Sequence, residues 1–504
     1  MPDSKKHYST ADAEKHGVTL PHDDTRDIAL RVFEEVKEGD MVDEIDDKAL
    51  LWKIDLWLMP LLCITYMLQS IDKTTLSYAA VFNLREDTHL VGTEYSWLGS
   101  IFYLGYLFWE YPTNLLLQRL PVGKFMSGTV VVWGVVLMCH AATHDFAGLA
   151  AVRTFLGVFE ASINPGTMII FSMFYKRIEQ PLRMGIWVGS AGLGYVIAGI
   201  ASFGIGHIHG SLSSWRYMFL IWGAVTTAWG IAIFLFLPDN PLSASFLTQS
   251  ERRGVITRIQ ENKTGVENKT FKPSQFTEAM LDPKTWLLFL FAITSNAPNG
   301  GLTTFQGIII KGMGFSTLQT MLIQMPSGGV QCVVCSVACC FASRYPNARL
   351  AVMLVCLAPF LAGTIGTWLV PQSMPYGRLV CLWISFSYTA TWTLSMSVAT
   401  ANTAGHTKKV TTNAILLIGY CLGNFIGPFF FLADQAPRYD LGVGMMFFCI
   451  VMQVFSILGI WALLWKRNRD KEDVRESERN FVEGGEDGFK DLTDLENVHF
   501  KYVY

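Results

Sequence analysis

Twelve apolar blocks, each about as long as a membrane is thick, recur along this chain of 504 residues. A helix of roughly 20 apolar residues spans the hydrocarbon core of a bilayer. The blocks lie near 54–78, 94–117, 122–143, 148–174, 183–207, 215–237, 285–310, 318–341, 348–371, 376–400, 410–433 and 441–465. The pattern predicts an all-α membrane protein with twelve transmembrane helices.

The composition agrees with a chain embedded in lipid. Only 16% of the residues are charged, whereas soluble domains carry about 25%. The net charge of −3 gives no reason to expect a nucleic-acid partner. The first fifty residues are polar and acidic and lack the apolar core of a signal peptide, so we expect the first helix to direct insertion.

The blocks divide into two equal sets. Six fall in residues 54–237 and six in 285–465, with polar tails at 1–53 and 466–504 and a hydrophilic loop at 238–284. A short basic turn follows both the second and the eighth block. The pattern predicts a duplicated transporter, whose two six-helix bundles hold the site between them near the membrane midplane. Because each chain would then carry a complete site, we expect it to work as a monomer.

Lysine and arginine in the loops predict the orientation. With a cytoplasmic N-terminus, the inner loops carry sixteen Lys and Arg residues and the outer loops five. Positive residues are enriched in the cytoplasmic loops of membrane proteins. Both termini are therefore expected in the cytoplasm.

Five ionisable residues lie inside the apolar blocks, away from helix ends: Asp72, Lys73, Glu110, Arg153 and Glu160. Each such group costs about 2.5–3.5 kcal/mol on insertion scales, so it needs a partner or a function. All five belong to the first half. The second half offers uncharged polar residues at comparable depth.

Glu160 is the first candidate for proton coupling. It follows Arg153 by seven residues, which returns it to the same helix face roughly 10 Å deeper, near the midplane. Asn164 follows one turn later, and Pro165-Gly166 is expected to loosen the helix there. A carboxylate at this depth with an arginine on its own face is a plausible proton carrier. The alternative is a static ion pair that fixes the packing of helices 1 and 4.

The other charges have simpler interpretations. Asp72 and Arg153 both lie toward the outer side, so a structural or gating pair between helices 1 and 4 is favoured, with Asp72 as a second proton-coupling candidate. Lys73 lies close enough to the surface to snorkel. Glu110 is expected to pair with a loop cation.

The substrate contacts are predicted from depth and chemistry. Arg153 is the best candidate to attract a carboxylate, because its guanidinium matches that group in charge and shape. Asn164 lies on the same stripe. The uncharged wall of the cavity is predicted to comprise Asn299, Tyr388, Trp392 and Asn424.

No pattern points to an enzyme, a cofactor or a metal. The chain shows no Walker loop and no nucleophile–base arrangement, so ion-coupled secondary transport is expected. Cys332, Cys335 and Cys339 share a helix face, and small packing residues are a better interpretation than metal ligands. The glycines of helix 5 also predict close helix packing; they are Gly189, Gly192, Gly194 and Gly199.

Several stretches carry a family resemblance. They are IDKTTLSYA (71–79), EYSWLGSIFYLGYLFWEYPTNLLLQRLPVGK (94–124), RTFLGVFEASINPG (153–166), FYKRIEQPLRMGIW (174–187), LPDNP (237–241), FLTQSER (246–252), PNGGLTTFQGIIIKGMGFS (298–316), GHTKK (405–409), GYCLGNFIGP (419–428) and APRY (436–439). On these the chain resembles the major facilitator superfamily and, within it, the fungal anion:cation symporters of the allantoate permease branch.

The resemblance implies alternating access and proton-coupled uptake of a small molecule at the plasma membrane. Members of the branch carry small organic acids and vitamin-like carboxylates such as allantoate, nicotinate, pantothenate and biotin, and some carry short peptides. The superfamily usually has Asp before the Arg that follows helix 2, and this chain has Gln118. The residues expected to gate are Arg119, Lys124, Arg344 and Arg349.

Two other functions stay open at this stage. An exporter of a pathway metabolite would share the fold and reverse the direction of transport. A nutrient sensor that does not transport would signal through its tails and should fail when they are deleted.

Overall fold

Helices make up the regular structure of the part of the chain that is described. The computed structural model describes residues 46–176, 179–208, 210–260, 272–478 and 492–504, and Asp47–Tyr504 forms one unit. Most of the predicted tail at 1–53 lies outside the described residues. The fold class predicted from the apolar blocks is confirmed, because each of the twelve blocks coincides with helical structure.

We number the membrane segments α1 to α12. The first half contains α1 (Asp47–Val81), α2 (Glu94–Arg119), α3 (Val122–Cys139), α4 (Phe146–Glu160 and Ile163–Phe174), α5 (Gln180–Ile205) and α6 (Ser214–Phe236). The second contains α7 (Pro283–Gly312), α8 (Thr317–Ile323 and Met325–Arg344), α9 (Arg349–Leu369), α10 (Pro375–Ser385 and Tyr388–Ala401), α11 (His406–Ile426) and α12 (Asp440–Glu478).

The polar residues within the segments show which helices line the interior. Among the described residues, nine segments are long and apolar enough to cross a membrane by length and composition. The other three are α2, α7 and α10, which carry Glu110, Asn299 and Tyr388 respectively. Polar groups are tolerated at membrane depth where they face other helices or a cavity. These three segments therefore carry polar groups at membrane depth, as do α1, α4 and α11.

The helix pairs of the first half recur in the second. In the first half α1 packs on α5, α2 on α4 and α3 on α6; in the second, α7 packs on α11, α8 on α10 and α9 on α12. The halves meet through α1 with α7, α2 with α11, and α5 with α8. Adding six to each helix number reproduces every pair, which is the symmetry that a duplicated six-helix unit requires.

A break in α4 follows from a proline. The helix is interrupted at Ala161 and Ser162, directly after Glu160, and resumes at Ile163. Pro165 has no amide hydrogen for the carbonyl of Ala161, and its ring crowds that carbonyl. The break lies one turn before Pro165 and confirms the loosening expected from this proline. It leaves the Glu160 carboxyl at the end of a helical piece.

Glycines bring α5 and α8 into close contact across the two halves. A Cβ atom on Gly192 would lie 2.6 Å from the carbonyl oxygen of Gly328, and one on Gly199 would lie 2.5 Å from Met325 Cγ. Both separations are too short for a side chain. The packing interpretation is confirmed for Gly192, Gly194 and Gly199, whereas a Cβ on Gly189 would lie 3.5 Å from Ser336 Oγ, an ordinary contact.

Hydrogen bonds close the two halves onto each other at one end of the bundle. We call the end where α1 begins and α12 ends the proximal end, and the opposite one the distal end. Hydrogen bonds join the halves at the distal end through four contacts: Ser77 Oγ with Gly307 N (2.9 Å), Lys311 Nζ with the Val81 carbonyl (2.9 Å), Tyr95 Oη with the Thr304 carbonyl (2.7 Å) and Ser100 Oγ with the Phe425 carbonyl (2.6 Å). In this structure α1 and α2 are thus closed onto α7 and α11 distally.

The connecting segments are more ordered than the sequence predicts. The predicted loop at 238–284 contains the helices Gln249–Gln260 and Pro273–Leu281, and α12 continues beyond residue 465 to Glu478. Residues 492–504 pack against the proximal end of the second half, where the Tyr504 carbonyl accepts a hydrogen bond from Arg349 N at 2.8 Å. Part of the predicted C-terminal tail is therefore integral to the bundle.

Candidate functional site

An ion pair joins α1 and α4 inside the first half. Lys73 Nζ lies 3.8 Å from Glu160 Oε2, and the Glu160 side chain is fully buried whereas that of Lys73 is 20% exposed. The Lys73 ammonium also lies 5.5 Å from the centre of the Phe102 ring. The expectation that Lys73 snorkels to the surface is wrong, because a buried carboxylate and an aromatic face draw its side chain inward.

Tyrosines surround the lysine. Tyr66, Tyr103 and Tyr195, from α1, α2 and α5, lie near enough for their hydroxyl groups to interact with its charge. The ring of Tyr103 is 6.0 Å from that of Tyr420 on α11. The lysine therefore points to the interface between the two halves, with an amphipathic lining around it.

The pair leaves hydrogen-bonding capacity unused. Neither oxygen of Glu160 has a partner within hydrogen-bond distance among the described residues, and the side-chain amide of Gln69 lies close enough to interact with the carboxylate. Buried polar atoms in proteins are nearly always hydrogen-bonded, and ionisable residues at membrane depth often mark ion and substrate pathways. A proton on Glu160, or an anion on Lys73, would use part of this capacity.

Asp72 and Arg153 do not form the predicted ion pair. Both are buried, and among the described residues neither oxygen of Asp72 and neither the Nε nor the Nη2 of Arg153 has a hydrogen-bond partner. The charges of Arg153, Lys73 and Glu160 all act on Asp72. The four groups thus form one buried electrostatic set with equal numbers of positive and negative charges, in which only Lys73 and Glu160 approach within 4 Å.

The second half contributes a hydrogen-bonded wall. Asn299 Nδ2 donates to Asn424 Oδ1 at 2.7 Å, and Tyr388 Oη donates to Asn299 Oδ1 at 2.8 Å. Asn424 Nδ2 in turn donates to the Tyr420 carbonyl at 2.9 Å. The structure brings three of the four residues expected from depth alone into one network on α7, α10 and α11; their role in binding stays a prediction.

Aromatic contacts connect this wall to the first half. Trp392 stacks on Tyr420 at a centroid distance of 5.4 Å, and Tyr420 lies 6.5 Å from Tyr106 on α2. Asn164 Nδ2 donates to Tyr106 Oη at 2.9 Å. Asn164 and Trp392 therefore belong to one continuous surface, as their common assignment to the substrate requires.

The residues expected to gate divide into two groups. Lys124 binds Asp239 through its backbone nitrogen at 2.9 Å and through Nζ at 3.9 Å, and Arg349 contacts the C-terminal residue. Arg119 and Arg344 are exposed and take part in no ion pair with another described residue. In this conformation, Lys124 and Arg349 hold connecting segments in place.

Glu110 is also left without the partner expected for it. It is 9% exposed, its Oε2 has no hydrogen-bond partner, and no described cation lies within 4 Å of it. The loop-cation interpretation is wrong for this conformation. A buried carboxylate on α2 therefore remains near Tyr106, on the proximal side of Glu160.

Sequence reasoning missed the central position of Lys73 and of the tyrosines around it. One signal was present, because a lysine in the middle of the motif IDKTT lies deep enough to require a partner. The tyrosines gave no signal, since their position depends on which faces of α1, α2, α5 and α11 meet. Together these residues form a site that can hold a small anion on an ammonium group and a proton on a carboxylate.

Comparisons with known proteins agree with the fold. The family model described as Major Facilitator Superfamily matches residues 62–428. The thiamine pathway transporter THI73 of Saccharomyces cerevisiae is 35% identical, covering 100% of this chain and 98% of that protein. The allantoate permease of the same yeast is 34% identical, covering 95% of this chain and 90% of that protein.

Solved structures give the same architecture. A bacterial homologue of the human lysosomal transporter Spinster, in an inward-facing and unoccupied conformation, matches with a TM-score of 0.59 and 17% identity over 81% of this chain and 96% of that chain. A D-xylose-proton symporter matches with a TM-score of 0.59 and 11% identity over 81% of this chain and 97% of that chain. At these identities the likeness concerns the fold alone.

Proposed function

Because the chain belongs to the major facilitator superfamily, we propose that it is a secondary active transporter that imports a small organic anion together with a proton, by alternating access. In this proposal it works as a monomer in the plasma membrane, with both termini in the cytoplasm. The observation that carries the proposal is the buried Lys73–Glu160 ion pair, in which Lys73 is the one cation within 4 Å of the carboxylate among the described residues.

Charge balance couples the two ions. In the empty site the Lys73 ammonium is neutralised by the Glu160 carboxylate. A substrate carboxylate that binds Lys73 would leave one buried negative charge in excess, which is strongly unfavourable in a medium of low dielectric constant. A proton on Glu160 removes that excess. The loaded site then holds one anion and one proton and has the same net charge as the empty site.

The proposal moves the main anion contact from Arg153 to Lys73. Arg153 is 3% exposed and lies among Asp72, Glu160 and Tyr95, within the first half. Lys73 is 20% exposed and lies beside Tyr103, whose ring is 6.0 Å from that of Tyr420 in the other half. Arg153 and Asp72 then serve to balance the charges around the pair, with Asp72 as the second carboxylate available for a proton.

The uncharged wall supplies selectivity. Asn299, Tyr388 and Asn424 present amide and hydroxyl groups that bind one another in this structure, and Trp392 and Asn164 complete the surface. A site built from polar groups rejects a ligand that cannot replace their hydrogen bonds. The relatives named for allantoate and for the thiamine pathway support a small, polar, vitamin-like or nitrogen-rich carboxylate as the substrate class.

Uptake of labelled carboxylates by cells expressing the chain tests the proposal. A panel of small organic acids would be offered at external pH 5 and 7.5, with initial rates divided by the amount of protein at the cell surface. We expect one compound to enter faster at pH 5, and Glu160→Gln to abolish the difference between the two pH values. If cells instead lose a metabolite faster when they express the chain, the importer is wrong and the exporter replaces it.

A further inference from the structure

A cluster of buried charges lies at the proximal end of the second half. It consists of Glu278, Asp282, Lys284, Lys408, Arg467 and Asp494, which we call the proximal ion cluster. Asp282, Lys408 and Asp494 have fully buried side chains, and that of Lys284 is 1% exposed. Three cations face three carboxylates, so the cluster is neutral.

Asp494 is its central carboxylate. Its two oxygens accept from Lys284 Nζ at 2.9 Å and from Lys408 Nζ at 2.8 Å, and Tyr502 Oη donates to it at 3.0 Å. Lys408 also binds Asp282 at 3.0 Å. Lys284 lies 3.8 Å from Asp282, so Asp494 is its near ionic partner.

The chain around Asp494 is fixed by paired backbone contacts. Asn402 donates to the Val503 carbonyl at 2.9 Å and accepts from Val503 N at 2.7 Å. Asn468 on α12 makes the same two contacts with Tyr502, at 2.9 Å and 2.8 Å. Two amide side chains thus bind the tail in the manner of a neighbouring β-strand. These paired contacts fix the position of residues 502 and 503, so that Asp494 in the same segment lies between Lys284 and Lys408.

The two lysines begin the helices that carry the wall of the site. Lys284 is in the first turn of α7, which bears Asn299, and Lys408 is in the first turn of α11, which bears Asn424. The same two helices form the distal contacts to the first half, through Gly307 and through the Phe425 carbonyl. A contact that joins the proximal ends of α7 and α11 therefore acts on the two helices that carry the wall residues and that make the distal contacts with the first half.

We infer that Asp494 is a positioning residue for transport: it ties α7 to α11 at the proximal end, so that the C-terminal segment 492–504 is a working part of the transporter. In this role the segment keeps the two helices moving as one body when the halves rock. The inference rests on the proposed function only in assigning Asn299 and Asn424 to the site. It also means that deleting the tail removes the near counter-charge of Lys284 and one of the three carboxylates around Lys408, so loss of flux on deletion would not distinguish a sensor from a transporter.

The test compares three variants of the full chain by initial uptake of its transported compound, normalised to surface protein. Asp494→Asn keeps the shape of the side chain and leaves one positive charge in excess. Asp494→Asn with Lys284→Gln restores neutrality, because Lys408 keeps Glu278 and Asp282. Asp473→Asn, at an exposed position on α12, is the matched control.

We expect Asp494→Asn to lower the maximal rate at least tenfold with KM changed less than threefold, since the substrate contacts are far from the cluster. The neutral double variant should recover to within threefold of the wild type, and the control should match the wild type. A wild-type rate in Asp494→Asn, or in a chain ending at residue 478, would overturn the inference. So would a neutral double variant that fails to reach the membrane or stays as slow as the single variant.

Failure of this inference can be told from failure of the proposed function. The proposed function fails if Glu160→Gln and Lys73→Gln transport normally. The positioning role fails if the Asp494 variants do. Because the two sets of variants are measured on the same flux, in whichever direction it runs, each result is assigned to one claim.

Discussion

The two halves of the molecule share one helix arrangement and place their charges differently. The first half holds Asp72, Lys73, Arg153 and Glu160 within the bundle, with polar atoms that lack hydrogen-bond partners among the described residues. The centre of the second half is uncharged, and its amides are hydrogen-bonded to one another. Apart from Arg378 near the start of α10, whose guanidinium donates to the Pro437 carbonyl, its described buried charges lie at the proximal end, where each has an opposite partner close by.

From this difference we infer which half binds and releases ions during transport. A buried group without partners is unstable in one arrangement and gains by accepting a proton or a ligand, whereas a fully bonded network resists change. Duplication supplied two similar bundles. We therefore propose that ions bind in the first half, and that the second half provides the shape of the cavity and the rigidity of α7 and α11.

The largest loss of uptake should come from removing the positive charge of Lys73. Lys73→Gln leaves Glu160 buried without its near counter-charge and removes the proposed anion contact, so we expect uptake to fall at least 100-fold. The measurement is initial uptake per molecule at the cell surface. Lys53→Met is the matched control, because it removes a lysine of the same helix whose partner, Glu251, is partly exposed at the proximal end, and it should stay within twofold of the wild type.

A double variant guards against misfolding. Lys73→Gln with Glu160→Gln removes both charges, so it should reach the surface and remain inactive. Uptake by this double variant at more than a tenth of the wild-type rate would break the contrast between the halves, because neither charge would then be needed.

A smaller loss of uptake is expected from a substitution at the distal contact between the halves. A Cβ on Gly307 would lie 2.8 Å from Val81 Cγ2 and 2.9 Å from the Ser77 carbonyl oxygen. Gly307→Val should therefore hinder distal closure and slow uptake roughly tenfold, measured as initial rate. Gly204→Val is the control, since no atom lies within 4 Å of a Cβ there. Equal rates in the two variants would show that the distal contact is not part of the cycle.

Substitutions in the uncharged wall of the second half should slow uptake less, and they should change KM and leave the pH dependence of uptake unchanged. Tyr388→Phe removes the 2.8 Å hydrogen bond to Asn299, and one such bond is worth about 1 kcal/mol. We expect KM to rise roughly fivefold while the ratio of uptake at pH 5 to that at pH 7.5 stays unchanged. Tyr376→Phe, at an exposed position, should leave KM as it is. A changed pH ratio in Tyr388→Phe would place proton coupling partly in the second half.

Much of this contrast was accessible from the sequence. Apolar blocks of membrane length predict the twelve helices, because the bilayer imposes that length. Depth along a helix predicts that Glu160 is central and that Asn299, Tyr388 and Asn424 lie at the level of the site. Pro165 predicts the loosening of α4.

The partners of the charges were not accessible in the same way. Depth alone favoured Asp72 with Arg153, whereas the rotation of α1 against α4 brings Lys73 to Glu160 instead. Lys284 and Lys408 count among the sixteen Lys and Arg residues that the sequence assigns to the inner loops, and nothing local indicates that Asp494 returns to bury them. Which charge meets which depends on contacts between distant segments, and a single sequence does not encode these as a local pattern.

The smallest expected effect concerns pH at the proximal ion cluster. Burial tends to raise the pKa of Asp282, but the hydrogen bond from Arg467 and the charges of Lys284 and Lys408 outweigh it and lower that pKa to about 2. The pKa of Asp494 is also below its usual range, since Lys284 and Lys408 outweigh its burial. A lowered carboxyl pKa stabilises the fold above the unfolded value of about 3.9 and loses this contribution as the pH falls through the folded value.

Asp282 and Asp494 should therefore keep their negative charges between pH 5 and 7.5. We expect the neutral double variant Asp494→Asn with Lys284→Gln to show the wild-type ratio of uptake at these two pH values, within twofold. The measurement uses the same cells and compound as the uptake panel. A ratio close to one in this variant would assign the pH dependence to the second half and remove the contrast.

Coupled proton movement through Glu160 is measured most directly in vesicles that contain the purified full chain and a pH-sensitive dye. An inward gradient of the transported anion is applied, and internal acidification is recorded together with anion entry. For the wild type we predict about one proton for each monovalent anion, and for Glu160→Gln continued exchange of labelled for unlabelled anion without acidification. Acidification by Glu160→Gln at the wild-type ratio would contradict the account, because the proton would then travel without the carboxylate that pairs with Lys73.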